Sequence, residues 1–378
     1  MANTLSGLIP DAFAALNQVS QELVGFIPAS SRSGAMERAA VDQDVTIAIA
    51  PAANVSNVAP AMNTPEPTDQ TIGNTKMRIT KSRAAEFGWT GEEARGLNNG
   101  GAGVLSIQAQ QIAEGIRALV NEAEADMAVE MSRTASRAHG TAGTTPFGSN
   151  LGDSAQVRKI LDDNGAPLTD RHAVLSTAAG ASMRTLTNLS NVNQAGDTTM
   201  LRQGMLLDVH GLAFRESGQA VTHTKGTGTG YVTNGAAIKG ATTIAVDTGT
   251  GTVVAGDIVT FAGDANKYVV ATALTGGNIV IAKPGLRQAV ADGVAMTVGD
   301  SYEANPVFTR GAAQLGFRLP ALPDEGDSAL DRFAMQDPRS GLVFEMSVYG
   351  GYRKNRYEIA ASWGVKNIKP EHSALLLG

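Results

Sequence analysis

Apolar residues recur at spacings of three and four over the stretch from about Val104 to His139, with acidic residues on the other faces. This pattern predicts one long amphipathic helix. At 1.5 Å per residue such a helix is a rod of roughly 50 Å, longer than a compact domain needs, so we interpret it as a spine. The stripe keeps no sustained heptad, which disfavours a coiled coil; it comprises Ile112, Ile116, Leu119, Val120, Ala123, Met127 and Met131.

A second helical stripe lies at the N-terminus. Periodicity alone favours a first helix that packs on the chain's own core, while the alternative is an arm that docks on another chain. The stretch has no basic start and no continuous apolar run, so we expect neither a signal peptide nor a membrane span, and a soluble protein made in the cytosol. Its stripe is Leu5, Leu8, Ile9, Ala12, Phe13, Leu16 and Val19.

The pattern changes to alternation in two following stretches. Residues 39–49 carry β-branched residues with alternation at Val45 and Ile47, and residues 74–82 alternate Met77 and Ile79 against Lys, Arg and Thr. A Pro-rich connection separates them and is too long for an ordinary hairpin turn. The two strands and their tip therefore predict an extended two-stranded arm, which would be marginal alone and should rest on a neighbour.

Short mixed elements follow the spine. Residues 154–165 predict a short helix with Ser154 at its start and Gly165 after its end, and residues 170–179 predict a buried strand.

A small all-β unit begins after a Gly/Thr-rich linker. Four short strands with Gly, Asn and Asp turns and no helical pattern predict a small sandwich or barrel. An insertion is tolerated where the parent chain's ends lie close together on a surface, so we interpret the unit as an insertion that folds autonomously. Its predicted core is Ile244, Val246, Ile258, Phe261, Val269, Ile279 and Ile281.

Composition limits the functions that this chain can have. The sequence contains 30 Lys and Arg against 36 Asp and Glu, a formal net charge of -6, so it has no overall electrostatic footprint for DNA or an anionic membrane. It contains 0 Cys, which excludes disulfides, cysteine zinc sites and thiol nucleophiles. A chain without Cys is compatible with both reducing and oxidising compartments.

Candidate catalytic motifs each have a simpler explanation. The Gly-rich run 226–230 lacks the Lys-Ser/Thr of a phosphate loop and reads as a linker, and the Asp-Asn-Gly cluster at 162–165 reads as a helix end. The acidic run 324–327 reads as a solvated loop. The five His residues are scattered with no paired spacing. We therefore predict no catalytic residues, no cofactor and no metal.

The C-terminal stretch 337–378 contains two alternating strands joined by a basic turn that includes Arg353 and Arg356. The combination of D-P-R-S-G-L, W-G-V and K-P-E resembles the ending of tailed-bacteriophage major capsid proteins, specifically the coat proteins of short-tailed Salmonella phages. The order of parts along nearly the whole chain is also similar: an N-terminal arm, an extended loop, a spine helix, a β-insertion and the terminal strands.

The resemblance implies an α+β chain with the Johnson-type phage capsid fold and an inserted all-β, barrel-like domain. The insertion is shorter than the one in that subgroup and shows no long acidic hairpin, which weakens the expectation of contacts across a two-fold axis. The implied parts are an N-terminal arm (1–38), an extended loop (39–85), a peripheral domain with the spine helix (86–145), a first axial part (146–234), the insertion (235–299), and the axial and peripheral return (300–378).

The resemblance also implies a structural role instead of an enzymatic one. Copies would form hexamers and pentamers in an icosahedral shell around double-stranded DNA. The implied partners are further copies, a scaffolding protein during assembly, a portal at one vertex, and packaged DNA on the interior only, with no membrane. The implied location is the virion, assembled in the host bacterial cytoplasm. The alternatives are an encapsulin-like nanocompartment shell and an unrelated α+β enzyme. The expected assembly residues are Leu5, Phe13, Leu16, Val45, Ile47, Met77, Ile79, Arg353 and Arg356.

Overall fold

The computed structural model describes residues 20–33, 37–49, 53, 55, 73–99, 104–191, 203–206 and 208–378. Its helices are α1 Phe26–Ala29, α2 Gly91–Asn99, α3 Val104–Arg133, α4 Gly152–Asp163, α5 Thr177–Arg184 and α6 Thr187–Ser190. The strands before the predicted insertion are β1 Ser31–Ser33, β2 Arg38–Ala39, β3 Asp44–Ile49, β4 Gly73–Arg78, β5 Lys81–Thr90, β6 Arg137–His139, β7 Arg171–Leu175, β8 Ala213–Glu216, β9 Thr222–His223 and β10 Val232–Thr233. The remaining strands are β11 Thr243–Asp247, β12 Ile258–Phe261, β13 Lys267–Thr275, β14 Asn278–Ile281, β15 Met296–Val298, β16 Tyr302–Thr309, β17 Ala313–Pro320, β18 Ala329–Gln336, β19 Val343–Gly351, β20 Lys354–Asn367 and β21 Ser373–Leu377.

The first sheet is built around the long strand β20. One edge of β20 pairs with β19 and, further along, with β17, and β5 pairs antiparallel with β20 from Lys81↔Trp363 to Thr90↔Lys354. The spine helix α3 lies across this sheet, and its apolar stripe packs against Phe317, Phe344 and Trp363. The stripe predicted from the sequence is therefore the face that forms this core.

The second sheet joins the rest of the chain. It runs in the order β10, β11, β14, β13, β6, β21, β16, β7, β8. The apolar C-terminal strand β21 is buried along its length between β16 and β6. Helices α4 and α5 contribute a separate apolar cluster with Phe147, Leu161 and Met183 on this sheet.

The stretch that the sequence predicts to be an insertion, residues 235–299 and called the insertion below, contributes strands β11 to β15 to the second sheet, so its backbone pairing continues into the rest of the chain. Strand β13 pairs with β6 at Lys267↔Ala138 and Tyr268↔Arg137. Its interior is one cluster that contains Ile244, Val246, Phe261, Ile279 and Ile281. Ile258 and Val269 are equally buried, but they pack in a different cluster with Tyr302 and the end of β21. Two of the seven predicted core residues therefore form the seam with the parent fold.

Three element boundaries differ from the sequence-based expectation. The spine helix ends at Arg133 instead of His139, because the following residues form β6 between β21 and β13. The buried strand β7 ends at Leu175, because Ser176 accepts a hydrogen bond from the backbone N–H of Ala179 and begins α5.

Ser154 does not cap the helix that it was expected to begin. The helix starts at Gly152, and the Ser154 hydroxyl donates back to the carbonyl of Leu151 at 2.7 Å. Gly165 follows the helix with a left-handed φ of 73°, as its predicted position requires.

The predicted α+β class is confirmed, because the chain combines a long helix with two large sheets. Among the described helices, none combines the length and apolar character needed to cross a membrane.

Candidate assembly surfaces

The expected assembly residues fall into three places. Leu5, Phe13 and Leu16 lie outside the described residues. Val45 and Ile47 lie on β3 and are partly buried, and Arg353 and Arg356 are exposed at the turn between β19 and β20. Met77 and Ile79 are a correction: both side chains are 0% exposed within their own chain, so they cannot contact a neighbouring copy.

Strands β3 and β4 pair with each other in a separate two-stranded sheet, called the hairpin below. They pair antiparallel from Asp44↔Arg78 to Ile49↔Gly73, and neither pairs with a third strand in the described chain. Six residues of strand extend about 20 Å. An isolated two-stranded ribbon is marginal in water, so this ribbon needs either its base or a neighbour to hold it.

The base of the hairpin is fixed to the sheet by close backbone packing. The N–H of Thr80 donates to the carbonyl of Trp363 at 3.0 Å, and the N–H of Ile79 donates to the carbonyl of Gln43 at 3.0 Å. A Cβ on Gly364 would overlap the carbonyl of Arg78, so only glycine fits where the hairpin crosses β20. The W-G-V motif thus has a structural reason in this chain.

The Met77 side chain is buried where the base of the hairpin crosses the first sheet. Its methyl group occupies the space beside Gly316 on β17, where a Cβ would overlap it. The alternation that seemed to put Met77 and Ile79 on a free face instead inserts them into the chain's own core. The sequence could not distinguish the two cases, because both give the same period of two.

A charged cluster ties the start of β5 to the spine. The Lys81 ammonium lies 2.9 Å from carboxylate oxygens of both Glu122 and Asp126, and Arg83 lies 3.1 Å from Glu122. Burial alone would lower the pKa of Lys81, but its hydrogen bonds to the two carboxylates outweigh burial and raise it. The indole N–H of Trp363 also donates to Asp126 at 2.8 Å. Strand β5, strand β20 and helix α3 therefore share one polar anchor.

The segment before α1 is held by a buried carboxylate of the spine. Glu124 is 0% exposed and accepts backbone N–H bonds from Gly25, Phe26 and Ile27 at 2.5 to 2.9 Å, with a fourth bond from Ser217 at 2.8 Å. Burial raises its pKa, although these donors act in the opposite direction. A carboxylate at a helix start satisfies N–H groups that no helical carbonyl can reach.

The turn between β19 and β20 forms an exposed polar and aromatic end of the first sheet. Tyr352 is 91% exposed, and Arg353 takes a left-handed φ of 56°. Arg356 forms ion pairs with Glu86 and Glu358, and the Arg356 to Glu358 distance is 3.2 Å. Burial raises the pKa of Glu358. A large aromatic side chain beside paired charges is typical of a contact surface.

The insertion joins the parent fold through a second buried carboxylate. Asp257 accepts from the His223 ring at 2.8 Å and from the N–H of Val254 at 2.8 Å. The Tyr302 ring lies beside the His223 ring, tilted by 37° with centroids 5.1 Å apart, and its hydroxyl donates to the carbonyl of Gly256 at 2.7 Å. These bonds fix the entry and exit chains of the insertion to β16.

The described residues contain no cluster of three or more His, Asp or Glu side chains with metal-binding geometry. Run 226–230 packs against the insertion, where the N–H of Gly226 donates to Asp257 and the N–H of Gly228 donates to the carbonyl of Thr252. Gly226 and Gly228 are therefore used for close packing, since a Cβ on either would overlap Thr252 or Val253.

Solved structures of similar shape include structures from phages and a virus-like particle. A structure from Mycobacterium phage Che8 has 15% identity and a TM-score of 0.48 and covers 95% of this chain and 92% of that one. The capsid of cyanophage P-SCSP1u has 11% identity and a TM-score of 0.48 over 95% and 89% of the two chains. A virus-like particle from Pyrococcus furiosus has 7% identity and a TM-score of 0.42 over 98% of each chain.

No protein-family model and no curated protein sequence matches this chain.

Proposed function

We propose that this chain is a structural major capsid protein with the Johnson-type fold, which self-assembles as hexamers and pentamers into an icosahedral phage shell. The observation that carries the proposal is the β3–β4 hairpin, a rigidly based ribbon whose two strands have no third partner in the described chain. Such a ribbon gains its missing contacts when it lies on a second copy.

Two further features support the same role. The spine α3 and the sheet beneath it form a rigid plate about 45 Å long, at 1.5 Å per helical residue. The turn with Tyr352 and Arg353 presents an exposed surface at the end of that plate. Burial of large apolar areas per subunit then stabilises the assembly, while each single contact stays weak.

In this role the chain is not an enzyme, and its partners are further copies, a scaffolding protein, a portal at one vertex and DNA on the shell interior. The chain would reside in the virion after assembly in the host bacterial cytoplasm. The net charge of -6 fits a container that does not bind its genome tightly.

Sedimentation and negative-stain microscopy of the purified chain test the proposal, with and without a co-expressed scaffolding protein. We expect capsomers or closed shells. Only monomers or dimers under every condition would contradict the proposal. Shells that enclose a defined cellular protein and no DNA during infection would instead indicate an encapsulin-like compartment.

A matched pair of variants connects the shells to the hairpin. Val45→Asp places a charge on the partly buried face of β3, whereas Thr46→Asp places the same charge on an exposed position of the same strand. We expect Val45→Asp to reduce shell yield and Thr46→Asp to leave it nearly unchanged. Equal yields of shells for both variants would remove the hairpin from the assembly contact.

A further inference from the structure

Three arginine side chains lie close together where the two large sheets meet. Strand β16 of the second sheet ends in a short turn, residues 310–312, that leads directly into β17 of the first sheet. Arg310 lies in this turn, Arg32 belongs to β1 of the first sheet, and Arg215 belongs to β8 of the second. We call these three side chains the arginine cluster.

A buried imidazole connects the members of the arginine cluster. The Nη2 atom of Arg310 lies 3.3 Å from the Nε2 atom of His172. The register of β7 and β8 puts His172 and Arg215 on the same face of these neighbouring strands. Burial lowers the pKa of His172, and the charges of Arg215 and Arg310 lower it further, so the ring is neutral at pH 7. Loss of solvent around Arg32 and the nearby Arg310 charge also lower the pKa of Arg32.

The arginine cluster has fewer carboxylates than cations. Of the described acidic side chains, only Asp170 lies within ion-pair distance of the cluster, 3.5 Å from the Nε atom of Arg310. Arg32 donates to the carbonyl of Ser340. Asp337 begins the same turn, but its carboxylate accepts from the backbone N–H groups and the Ser340 hydroxyl of that turn. Three guanidinium charges and one carboxylate therefore leave an excess of two positive charges.

Two guanidinium donors of the cluster lack acceptors. The Nε atoms of Arg215 and Arg310 are buried, and neither has a hydrogen-bond partner in the part of the chain that the structure describes. The approach of Asp170 to Arg310 is an ion pair without hydrogen-bond geometry. A buried donor without an acceptor destabilises a fold. The Arg310 side chain is nevertheless 41% exposed, so a small anion from solvent can reach its guanidinium.

We propose that the arginine cluster binds a phosphate dianion, with Arg310 and Arg32 as its main donors. Guanidinium groups bind phosphate oxygens through parallel N–H bonds. A phosphomonoester carries about 1.5 to 2 negative charges at pH 7, which matches the excess of positive charge, whereas a phosphodiester carries one. The bound anion connects β1 of the first sheet to the end of β16 of the second. The site lies within one chain, so it does not depend on the assembly of a shell.

Equilibrium dialysis with radiolabelled inorganic phosphate at pH 8 measures this binding in the full-length chain. We expect one phosphate per wild-type chain. Arg310→Gln should weaken binding about ten- to hundredfold, because it removes a hydrogen bond between two charged groups. Arg32→Gln should also weaken binding, and it tests the cluster from the other sheet. Arg95→Gln is the matched control, because Arg95 is exposed on α2, and it should bind phosphate as the wild type does.

The carboxylate beside the cluster provides a test of opposite sign. Asp170 has a left-handed φ of 58°, which Asn also tolerates, so Asp170→Asn should fold normally. Removal of this negative charge should tighten phosphate binding. A folding defect would weaken binding in every variant, so opposite effects of Arg310→Gln and Asp170→Asn assign the phosphate to the cluster. The proposal is wrong if the wild type binds no phosphate, or if neither the Arg310 nor the Arg32 variant weakens binding.

Two competing anions identify the charge and the source of the ligand. Dimethyl phosphate has a single negative charge and should compete weakly, and competition equal to that of inorganic phosphate would overturn the assignment to a dianion. Phenyl phosphate presents the same dianion on a larger molecule. Stronger competition by phenyl phosphate than by inorganic phosphate would support a phosphomonoester group as the ligand, and weaker competition would support free phosphate.

Discussion

Truncation of Phe261 to Ala should unfold the insertion while the parent fold remains intact. The Phe261 ring is 2% exposed, lies 6.1 Å from the Tyr268 ring and belongs to the cluster that the insertion keeps to itself. Removal of a buried Phe ring costs about 3 to 5 kcal/mol, from lost burial and the cavity left behind.

The insertion has little stability to lose. At about 0.05 to 0.15 kcal/mol per residue, a unit of about 65 residues is stable by roughly 3 to 10 kcal/mol. The substitution therefore removes between a third and all of that free energy. Since each 1.4 kcal/mol is a factor of ten, amide protection inside the insertion should fall by about two to three and a half orders of magnitude.

Hydrogen exchange of the full-length chain measures this change residue by residue. The reporters are the amides of Val246 and Ile281, which donate within the insertion, and Thr80, which donates to β20. Ile238→Ala is the matched control, because Ile238 is an apolar insertion residue that is 76% exposed. We expect loss of protection at the first two amides only, and no change in the control.

A uniform loss of protection across both sheets would refute the reasoning. It would mean that the pairing of β13 with β6, and the seam at Ile258 and Val269, make the insertion and the parent fold one cooperative unit. The same seam predicts that an isolated 235–299 fragment exposes two buried side chains and is less stable than the insertion in place.

Three further substitutions test other parts of the structure. Gly364→Ala should cost at least about 1 to 3 kcal/mol and loosen the hairpin base, because the new methyl meets the backbone of Arg78; a urea midpoint equal to that of the wild type would contradict the crossing. Burial raises the pKa of Glu124, so the folded chain keeps the carboxyl proton at a pH where the unfolded chain has lost it. The free energy of unfolding should therefore fall as the pH rises above about 4.5, the ordinary pKa of a Glu carboxyl. Glu124→Gln should remove this part of the pH dependence of the urea midpoint. Arg356→Ala should change stability by less than about 1 kcal/mol, because its ion pairs are exposed, yet reduce shell yield; normal yields would remove Arg356 from the assembly surface.

The sequence alone determined the elements whose apolar residues repeat with a clear helical or strand period. The spine stripe from Ile112 to Met131 faces one core, because a repeat of three and four selects a single face of a helix whatever it packs against. The short strands of the insertion were likewise predictable, since each is bounded by turn residues.

Strand β5 was missed for a physical reason. Its sequence alternates between partly buried and exposed positions and carries three charged residues, Lys81, Arg83 and Glu86. Its ten pairs with β20 depend on a partner more than 260 residues away, which no local pattern reveals. The ends of α3 and β7 were misplaced for a related reason, because tertiary pairing and a cap at Ser176 decided where each element stops.

The tertiary structure alone decided which apolar residues face outward. Val45 and Met77 are cross-strand partners with similar local sequence, yet Met77 is fully buried because the hairpin base crosses Gly316 and Gly364. The period of two gives the alternation of faces, but not which face meets the core. The Glu124 clamp was equally hidden, since its donors lie about 100 residues earlier in the chain and only folding brings them together.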